Sequence, residues 1–124
     1  MKNDKKQSSR RSDCPISCSL DLIGDKWSLL IIRDMLFLGK STYNEFLASS
    51  ENISTNILND RLIMLTESGL ISYTGTAKRK KYFLTKMGLY MKPILESAGE
   101  FGMKYFKGTK THMQEQMKKA KRQS

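Results

Sequence analysis

The feature that most constrains the fold is a short capped helix that leads directly into a predicted β-hairpin. Ser54 is a preferred N-cap residue, and the helix after it is predicted to run to about Ser68. Two β-prone runs follow at residues 70–73 and 81–84, joined by a loop that contains Gly75. With another short helix just before it, this unit has the order of a winged helix-turn-helix domain.

Three helices are predicted ahead of the capped helix. The first begins near Pro15 and ends at Gly24, and the second covers residues 26–38. The second is apolar nearly all round, which is typical of a helix in the middle of a domain. The third is predicted to be capped by Asn44 and to run to about Ser49. The predicted fold class is therefore mainly α with a small β-hairpin wing (α+β).

A long helix is predicted after the hairpin, capped by Thr85 and running to about Phe106, with a kink at Pro93. Its apolar residues form two stripes. One is a heptad-like seam that includes Tyr90, Ile94, Ala98, Phe101 and Tyr105, and the other includes Met91, Leu95, Gly99, Gly102 and Phe106. One small domain can cover only one of these two stripes. The seam therefore predicts a homodimer, with the helices in residues 13–24 and 86–106 at its interface.

The chain has 124 residues, which is about one domain's length. We expect residues 1–12 to be a disordered basic arm, residues 13–106 to form the domain, and residues 107–124 to be a basic tail, loosely helical or disordered. Of the net charge of +10, the arm carries +4 and the tail +5, which leaves +1 for the domain. High net charge alone is therefore weak support for specific binding of a nucleic acid.

One basic cluster interrupts the otherwise balanced domain. It consists of Lys78, Arg79, Lys80 and Lys81, next to the glycine-containing loop of the predicted hairpin. A wing that follows a recognition helix meets the flanking DNA backbone, so the cluster is predicted to contact phosphates, which position a protein but read no sequence. A solvated loop with no partner is the alternative.

The helix capped by Ser54 is the predicted recognition helix, because its outer side is polar without being strongly charged. The residues predicted to face double-stranded DNA are Ser54, Thr55, Asn56, Asn59, Asp60 and Arg61. Asparagine can pair bidentately with adenine, and threonine can touch a thymine methyl group or a phosphate. Two roles stay open for Arg61, a phosphate contact or a bond that braces the wing. An ordinary solvated helix face is the alternative for the whole set.

Other function classes find little support. The densest apolar run, residues 29–32, is far shorter than the about 18 residues of a membrane span, so no membrane partner and a cytoplasmic location are expected. The lone His112 lies in the tail, and no nucleophile elbow or phosphate-binding glycine loop suggests an enzyme. Cys14, Cys18 and His112 lack the number and spacing of zinc ligands, so neither metal nor cofactor is predicted. A basic protein that binds nucleic acid through its tails without sequence preference remains the alternative function.

Several segments agree in order and spacing with one family. They are Cys14-Pro15, residues 20–24, Lys26-Trp27, residues 43–46, Ile53-Ser54, Leu58, Arg61-Leu62, Leu65, Gly69-Leu70, Tyr82, Leu84-Thr85, Gly88 and Pro93. Over about residues 14–106 the sequence resembles the HxlR-type, MarR-like winged helix-turn-helix transcriptional regulators. The resemblance implies a repressor or activator that binds DNA as a homodimer. A two-fold dimer in turn predicts an inverted-repeat operator.

The resemblance also concerns Cys14. Several members of that family sense oxidants or electrophiles through a cysteine at this place, and a helix start favours the reactive thiolate. The alternative is a small, inert, partly buried residue, and Cys18 one turn later could pack inside. A small-molecule or oxidant effector is compatible with the sequence, although no residue pattern marks a pocket for a ligand.

Overall fold

The computed structural model describes residues 11–123, with side chains to residue 119. Residues 1–10, most of the predicted basic arm, lie outside the described residues. Within the described range the elements are α1 (Pro15–Ile23), α2 (Lys26–Phe37), α3 (Tyr43–Leu47), α4 (Thr55–Glu67), β1 (Ile71–Thr74), β2 (Lys81–Leu84), α5 (Lys86–Leu89), α6 (Lys92–Tyr105) and α7 (Thr109–Gln123). Among these, no helix is both long enough and apolar enough to cross a bilayer. The mainly helical fold with a two-stranded hairpin matches the predicted winged helix-turn-helix class.

The hydrophobic core lies where α2, α4 and the hairpin meet. Leu58, Leu62 and Leu65 of α4 are buried, as their spacing of four and three residues predicts. The other buried apolar side chains are those of Ile23, Ile31, Ile32, Phe46, Ile53, Leu70, Ile71 and Met91. Helix α2 packs on α1, α4, α6 and β2, which confirms its predicted central position.

The start of α4 is fixed by its N-cap. The Ser54 hydroxyl accepts a hydrogen bond from the Ile57 N–H at 3.2 Å, as predicted. Helix α4 ends at Ser68, and Gly69 adopts a left-handed φ of 90°, which lets the chain leave the helix for β1. Both ends of α4 therefore follow from residues that are visible in the sequence.

The predicted cap of α3 is wrong, because Thr42 rather than Asn44 holds the N-cap position. The Thr42 hydroxyl accepts from the Glu45 N–H, and the Glu45 carboxylate accepts from the N–H groups of Thr42 (3.0 Å) and Ser41 (2.9 Å). The bond from Ser41, followed by those from Thr42, holds the pKa of Glu45 below its ordinary value despite partial burial. A threonine three residues before a glutamate is the signature of this capping box.

The wing is an antiparallel hairpin in which Ile71 lies opposite Leu84 and Thr74 opposite Lys81. This confirms the predicted hairpin to within one residue at its first strand. The Tyr82 N–H also donates to the carbonyl oxygen of Ser41 at 2.8 Å. Strand β2 is thus hydrogen-bonded on one edge to β1 and on the other to the loop before α3.

The base of the wing is joined closely to α5. The Thr85 hydroxyl lies 2.5 Å from the Gly69 carbonyl oxygen and accepts from the Gly88 N–H at 3.2 Å. A Cβ atom at Gly88 would lie 2.2 Å from the carbonyl oxygen of Leu70, so only glycine fits there. Helix α5 consequently starts in direct contact with the strand that leaves α4.

The helix predicted from Thr85 to Phe106 is divided in two, which corrects the prediction of one kinked helix. Helix α5 ends at Tyr90, and α6 starts at Lys92 with Pro93 in its first turn. Proline has no N–H to donate to the preceding turn, so a helix restarts at proline more readily than it continues through it.

Residues 109–123 form a helix, α7, where the sequence left a loose helix or disorder open. The Thr109 hydroxyl donates to the Gly102 carbonyl oxygen at 3.2 Å. The Met113 methyl group lies near Gly99, 3.4 Å from where a Cβ atom would be. Helix α7 therefore packs on α6 through the two glycines of that helix.

Candidate nucleic-acid interface

The first two turns of α4 form a polar exposed surface. Ser54, Thr55, Asn56, Asn59 and Asp60 are all exposed. Four of these five side chains are uncharged, and they follow a capped helix N-terminus, an end that favours negatively charged groups such as phosphates. A polar helix surface of this composition is of the kind that a major groove admits.

The wing carries the second group of predicted residues. Lys78, Arg79 and Lys81 are exposed, whereas Lys80 is half-buried with its Nζ atom 4.3 Å from the centre of the Tyr73 ring. This cation–π contact occupies Lys80 in part, whereas the other three cations are exposed to solvent. The tight loop that presents them turns at Gly75, whose φ is 92°.

A groove joins these two groups. Its walls are Asn59 of α4, residues 77–82 of the wing, and Thr42, Tyr43 and Asn44 at the start of α3. The half-buried Tyr82 packs its ring edge-on against Phe46 of the core at 6.1 Å between centroids, and burial raises the pKa of its hydroxyl group. The α3 residues were missed in the sequence because the capping box was not recognised there.

Arg61 does not brace the wing. Its Nε atom donates to Asp25, the N-cap residue of α2, at 2.9 Å, and its Nη1 atom donates to Asp60. The bond to Asp25 is the main reason that the pKa of Arg61 is raised. Partial burial opposes ionisation of Asp25, but hydrogen bonds from Ser28 and Arg61 outweigh it and lower its pKa. The ion pair fixes α4 against the start of α2.

A buried charged group, here called the Asp34 cluster, fixes the segment before α4. Asp34 is 2% exposed, and it accepts hydrogen bonds from Arg33 at 2.6 Å and from the Ser49 hydroxyl. Arg33 also donates to Glu51 at 2.7 and 2.9 Å, and Lys40 Nζ lies 3.7 Å from Asp34. Burial alone would lower the pKa of Arg33, but its bonds to both carboxylates raise it. The bond from Arg33 is likewise the main reason that the pKa of Glu51 is lowered.

The Asp34 cluster was missed in the sequence, where Arg33 and Asp34 only interrupt an apolar run. A charged pair on a helix that is otherwise buried is the signal that could have found it, because buried charges need partners. The partners lie 15 and 18 residues away, in the α3–α4 segment, and no local pattern connects them.

The predicted dimer seam lies on an exposed surface. Tyr90 is 73% exposed, Phe101 60% and Tyr105 63%, and Ile94 and Ala98 are exposed as well. The rings of Phe101 and Tyr105 are in contact in a tilted arrangement, with centroids 5.2 Å apart and an angle of 46° between their planes. On the other stripe Met91 is buried and Leu95 half-buried, whereas Phe106 is exposed. Exposed aromatic side chains in this number are unusual for a surface that faces water alone.

Cys14 precedes Pro15 at the N-cap position of α1 and is exposed. Cys18 is half-buried, and its Sγ atom donates to the Ser12 carbonyl oxygen at 3.3 Å. Both thiols are free. Ile16 and Leu20 of α1 are exposed apolar residues. Among residues 11–123, no cluster of three or more His, Cys, Asp or Glu side chains could hold a metal ion.

A capped polar helix, a basic two-stranded wing beside it and a groove between them define a winged helix-turn-helix protein. The chain belongs to the HxlR-like helix-turn-helix family, whose model matches residues 22–110. The HTH-type transcriptional regulator sll1512 of Synechocystis sp. is 34% identical over 92 residues, which cover 72% of this chain and 67% of the relative. DNA binding in the regulation of transcription is the activity that this membership implies.

Two solved structures resemble the whole arrangement. PA1607 is 36% identical, with a TM-score of 0.71 over 80% of this chain and 70% of that one. The redox regulator HypR in its oxidized form is 27% identical, with a TM-score of 0.64 over 72% of this chain and 94% of that one. The winged helix-turn-helix fold is therefore shared with solved proteins over most of the chain.

Proposed function

We propose that this chain is a homodimeric regulator that binds an inverted-repeat operator in double-stranded DNA. The observation that carries the proposal is the shared groove, in which Asn59 of the polar α4 surface faces the basic wing residues Lys78 to Lys81. In this arrangement α4 enters the major groove and the wing contacts the backbone beside it. Two copies of α4 in a dimer then reach half-sites whose centres lie about 34–36 Å apart, or a multiple of that distance.

The roles within this surface follow from chemistry and exposure. Asn56 and Asn59 are exposed amides that can read adenine, and Thr55 is placed to meet a phosphate or a thymine methyl group. Arg61 acts mainly as a positioning residue through Asp25, because two carboxylates already occupy its guanidinium group. The wing cations supply affinity that is independent of sequence.

We expect Asn56→Ala to weaken binding to the cognate operator by about tenfold or more, since a bidentate contact with a base contributes about 1–3 kcal/mol of discrimination. Binding to random DNA should change much less, because the amide makes no phosphate contact in this role. The measurement is fluorescence anisotropy with an operator selected from a random pool and with a scrambled duplex of the same length.

Gln114→Ala is a matched control, since it removes the same amide group from an exposed position on α7. This variant should bind both duplexes as the parent chain does. Equal losses for the operator and the scrambled duplex in Asn56→Ala would remove Asn56 from base readout.

We further propose that Cys14 responds to oxidants. Support comes from its exposure at the N-cap position of α1 and from the likeness to a redox regulator. Hydrogen peroxide oxidises a cysteine thiolate to a sulfenic acid and is itself reduced to water. The polar product then lies at the start of α1, the helix whose exposed apolar residues Ile16 and Leu20 belong to the proposed dimer contact.

With mild peroxide treatment we expect operator affinity of the parent chain to change by about tenfold, within the usual range for coupling between two sites. Cys14→Ser should abolish the change, because serine cannot be oxidised in this way. Cys18→Ser is the matched control and should keep the response, since Cys18 is half-buried and its thiol is hydrogen-bonded. A response that persists in Cys14→Ser and disappears in Cys18→Ser would assign sensing to the other thiol.

A further inference from the structure

A cavity lies between α2, α6 and α7, away from the groove that holds the proposed DNA contacts. We call it the α7 cavity. Its volume is about 230 Å³, and apolar atoms form most of its surface. A dry cavity of about 150 Å³ accommodates benzene, so a molecule of the size of two fused aromatic rings fits here.

The α7 cavity exists because α6 has glycines, which lack side chains, where α7 crosses it. Gly99 and Gly102 line the cavity, and a Cβ atom at Gly102 would meet nothing within 4 Å. On the other sides the cavity is lined by three methionines, Met103, Met113 and Met117. Methionine is unbranched and polarizable, so these walls can adapt to a flat apolar molecule. Most of α7 lies beyond residue 110, where the match to the family model ends.

At the polar edge of the cavity, side chains that can donate hydrogen bonds outnumber carboxylates. Arg33, Lys40 and His112 line it, and no carboxylate does so among the described residues that form its walls. Carboxylates behind the wall, in Asp34 and Glu51, already bond to Arg33. An anionic group that enters the cavity meets the His112 imidazole and two cations, Arg33 and Lys40, which it shares with the carboxylates of Asp34 and Glu51.

We propose that the α7 cavity binds a small, flat, largely apolar molecule that carries one carboxylate or a similar anionic group. We also propose that this ligand alters DNA binding, a part that rests on the function proposed above. The connection between the cavity and α4 is short, because Arg33 and Lys40 belong to the Asp34 cluster. This cluster bonds to Ser49 and Glu51 in the segment before α4. An anion that competes for these cations loosens the bonds that fix this segment.

The binding part is tested without DNA on the full chain labelled with methyl-¹³C methionine. Naphthalene-2-carboxylate, the neutral carboxamide and the 2-naphthylmethylammonium cation are added in turn as probes of nearly equal shape. The carboxylate should shift the methyl signals of Met103, Met113 and Met117 and leave those of Met35 and Met64, which do not line the cavity, in place. It should bind about tenfold more tightly than the ammonium probe, which corresponds to a modest charge-assisted contact.

Substitution at Gly102 then tests the location. Gly102→Leu places a side chain in the open space and should weaken binding by about tenfold or more, whereas the matched Gly102→Ala has the same backbone change and should retain most of it. Shifts spread over all methionines, an absence of shifts, or equal binding of the ammonium probe would each overturn the proposal. An absence of shifts is also the result expected if a second copy of the chain fills the cavity.

The regulatory part uses operator affinity with and without saturating carboxylate. A change of about tenfold that is lost in Gly102→Leu supports it, and unchanged affinity at full occupancy overturns it. If instead Asn56→Ala weakens the operator and random DNA equally, the base-readout proposal fails while the methyl shifts stand. The two failures are therefore distinguishable.

Discussion

Replacing Phe101 and Tyr105 together by glutamate is expected to separate the dimer and to lower operator affinity by about 1,000-fold. The two rings are exposed and in contact with each other, so in a dimer they would supply much of the apolar contact. Glutamate removes that contact and brings like charges together across a two-fold interface. A monomer holds only one half-site and loses the gain from linked binding, which is about 100- to 10,000-fold.

Sedimentation velocity measures the first effect, and anisotropy with the full operator and a single half-site measures the second. Thr111→Glu with Gln114→Glu is the matched control, because it adds the same two charges at exposed positions on α7. The control should remain dimeric. If the two glutamates at the seam change neither the molecular mass of the dimer nor the operator affinity, the dimer interface must lie elsewhere on the chain.

Neutralising the wing by replacing Lys78, Arg79, Lys80 and Lys81 with glutamine is expected to lower affinity by roughly 100- to 1,000-fold near physiological salt. If about two of the four cations contact phosphates in each subunit, a dimer loses about four such contacts. The slope of log affinity against log salt should then become less steep by about four. Because phosphate contacts carry no sequence information, operator and random DNA should be affected alike.

The control for the wing removes the same charge from the tail. Lys107, Lys110, Lys118 and Lys119 are exposed, and their replacement by glutamine also lowers the net charge by four in each subunit. This tail variant should keep most of the operator affinity and of the salt slope. A larger loss from the tail than from the wing would favour the alternative function, a basic protein that binds nucleic acid through its tails. Deleting the tail is a less clean test, because α7 packs on α6.

Local signals in the sequence were sufficient to predict the helices and strands of most of the domain. Ser54, Gly69 and the spacing of Leu58, Leu62 and Leu65 determine α4, since caps and apolar periodicity act within a few residues. Of the two apolar stripes in residues 86–106, the predicted seam is exposed, and the other is buried at Met91 but exposed at Phe106.

Apart from the cap of α3, whose Thr42–Glu45 signature is local, the errors arose where contacts between distant parts of the chain determine the structure. Arg61 could have met phosphate or the wing on sequence grounds, but its partner is Asp25, 36 residues earlier. The Asp34 cluster likewise joins residues whose approach depends on the completed fold. At Pro93 the sequence predicted a kink, whereas in the structure α5 ends at Leu89 and α6 starts at Lys92 with Pro93 in its first turn.

The hydrogen bond from Tyr82 to the Ser41 carbonyl oxygen makes the wing and the start of α3 one mechanical unit. Because this bond joins main-chain atoms, it does not depend on which side chains the wing carries. Exchanges at positions 78–81 can therefore leave this attachment of the wing to the domain in place. In the proposed mode of binding, the strength of binding and the choice of operator could then vary separately, one through the wing and the other through α4.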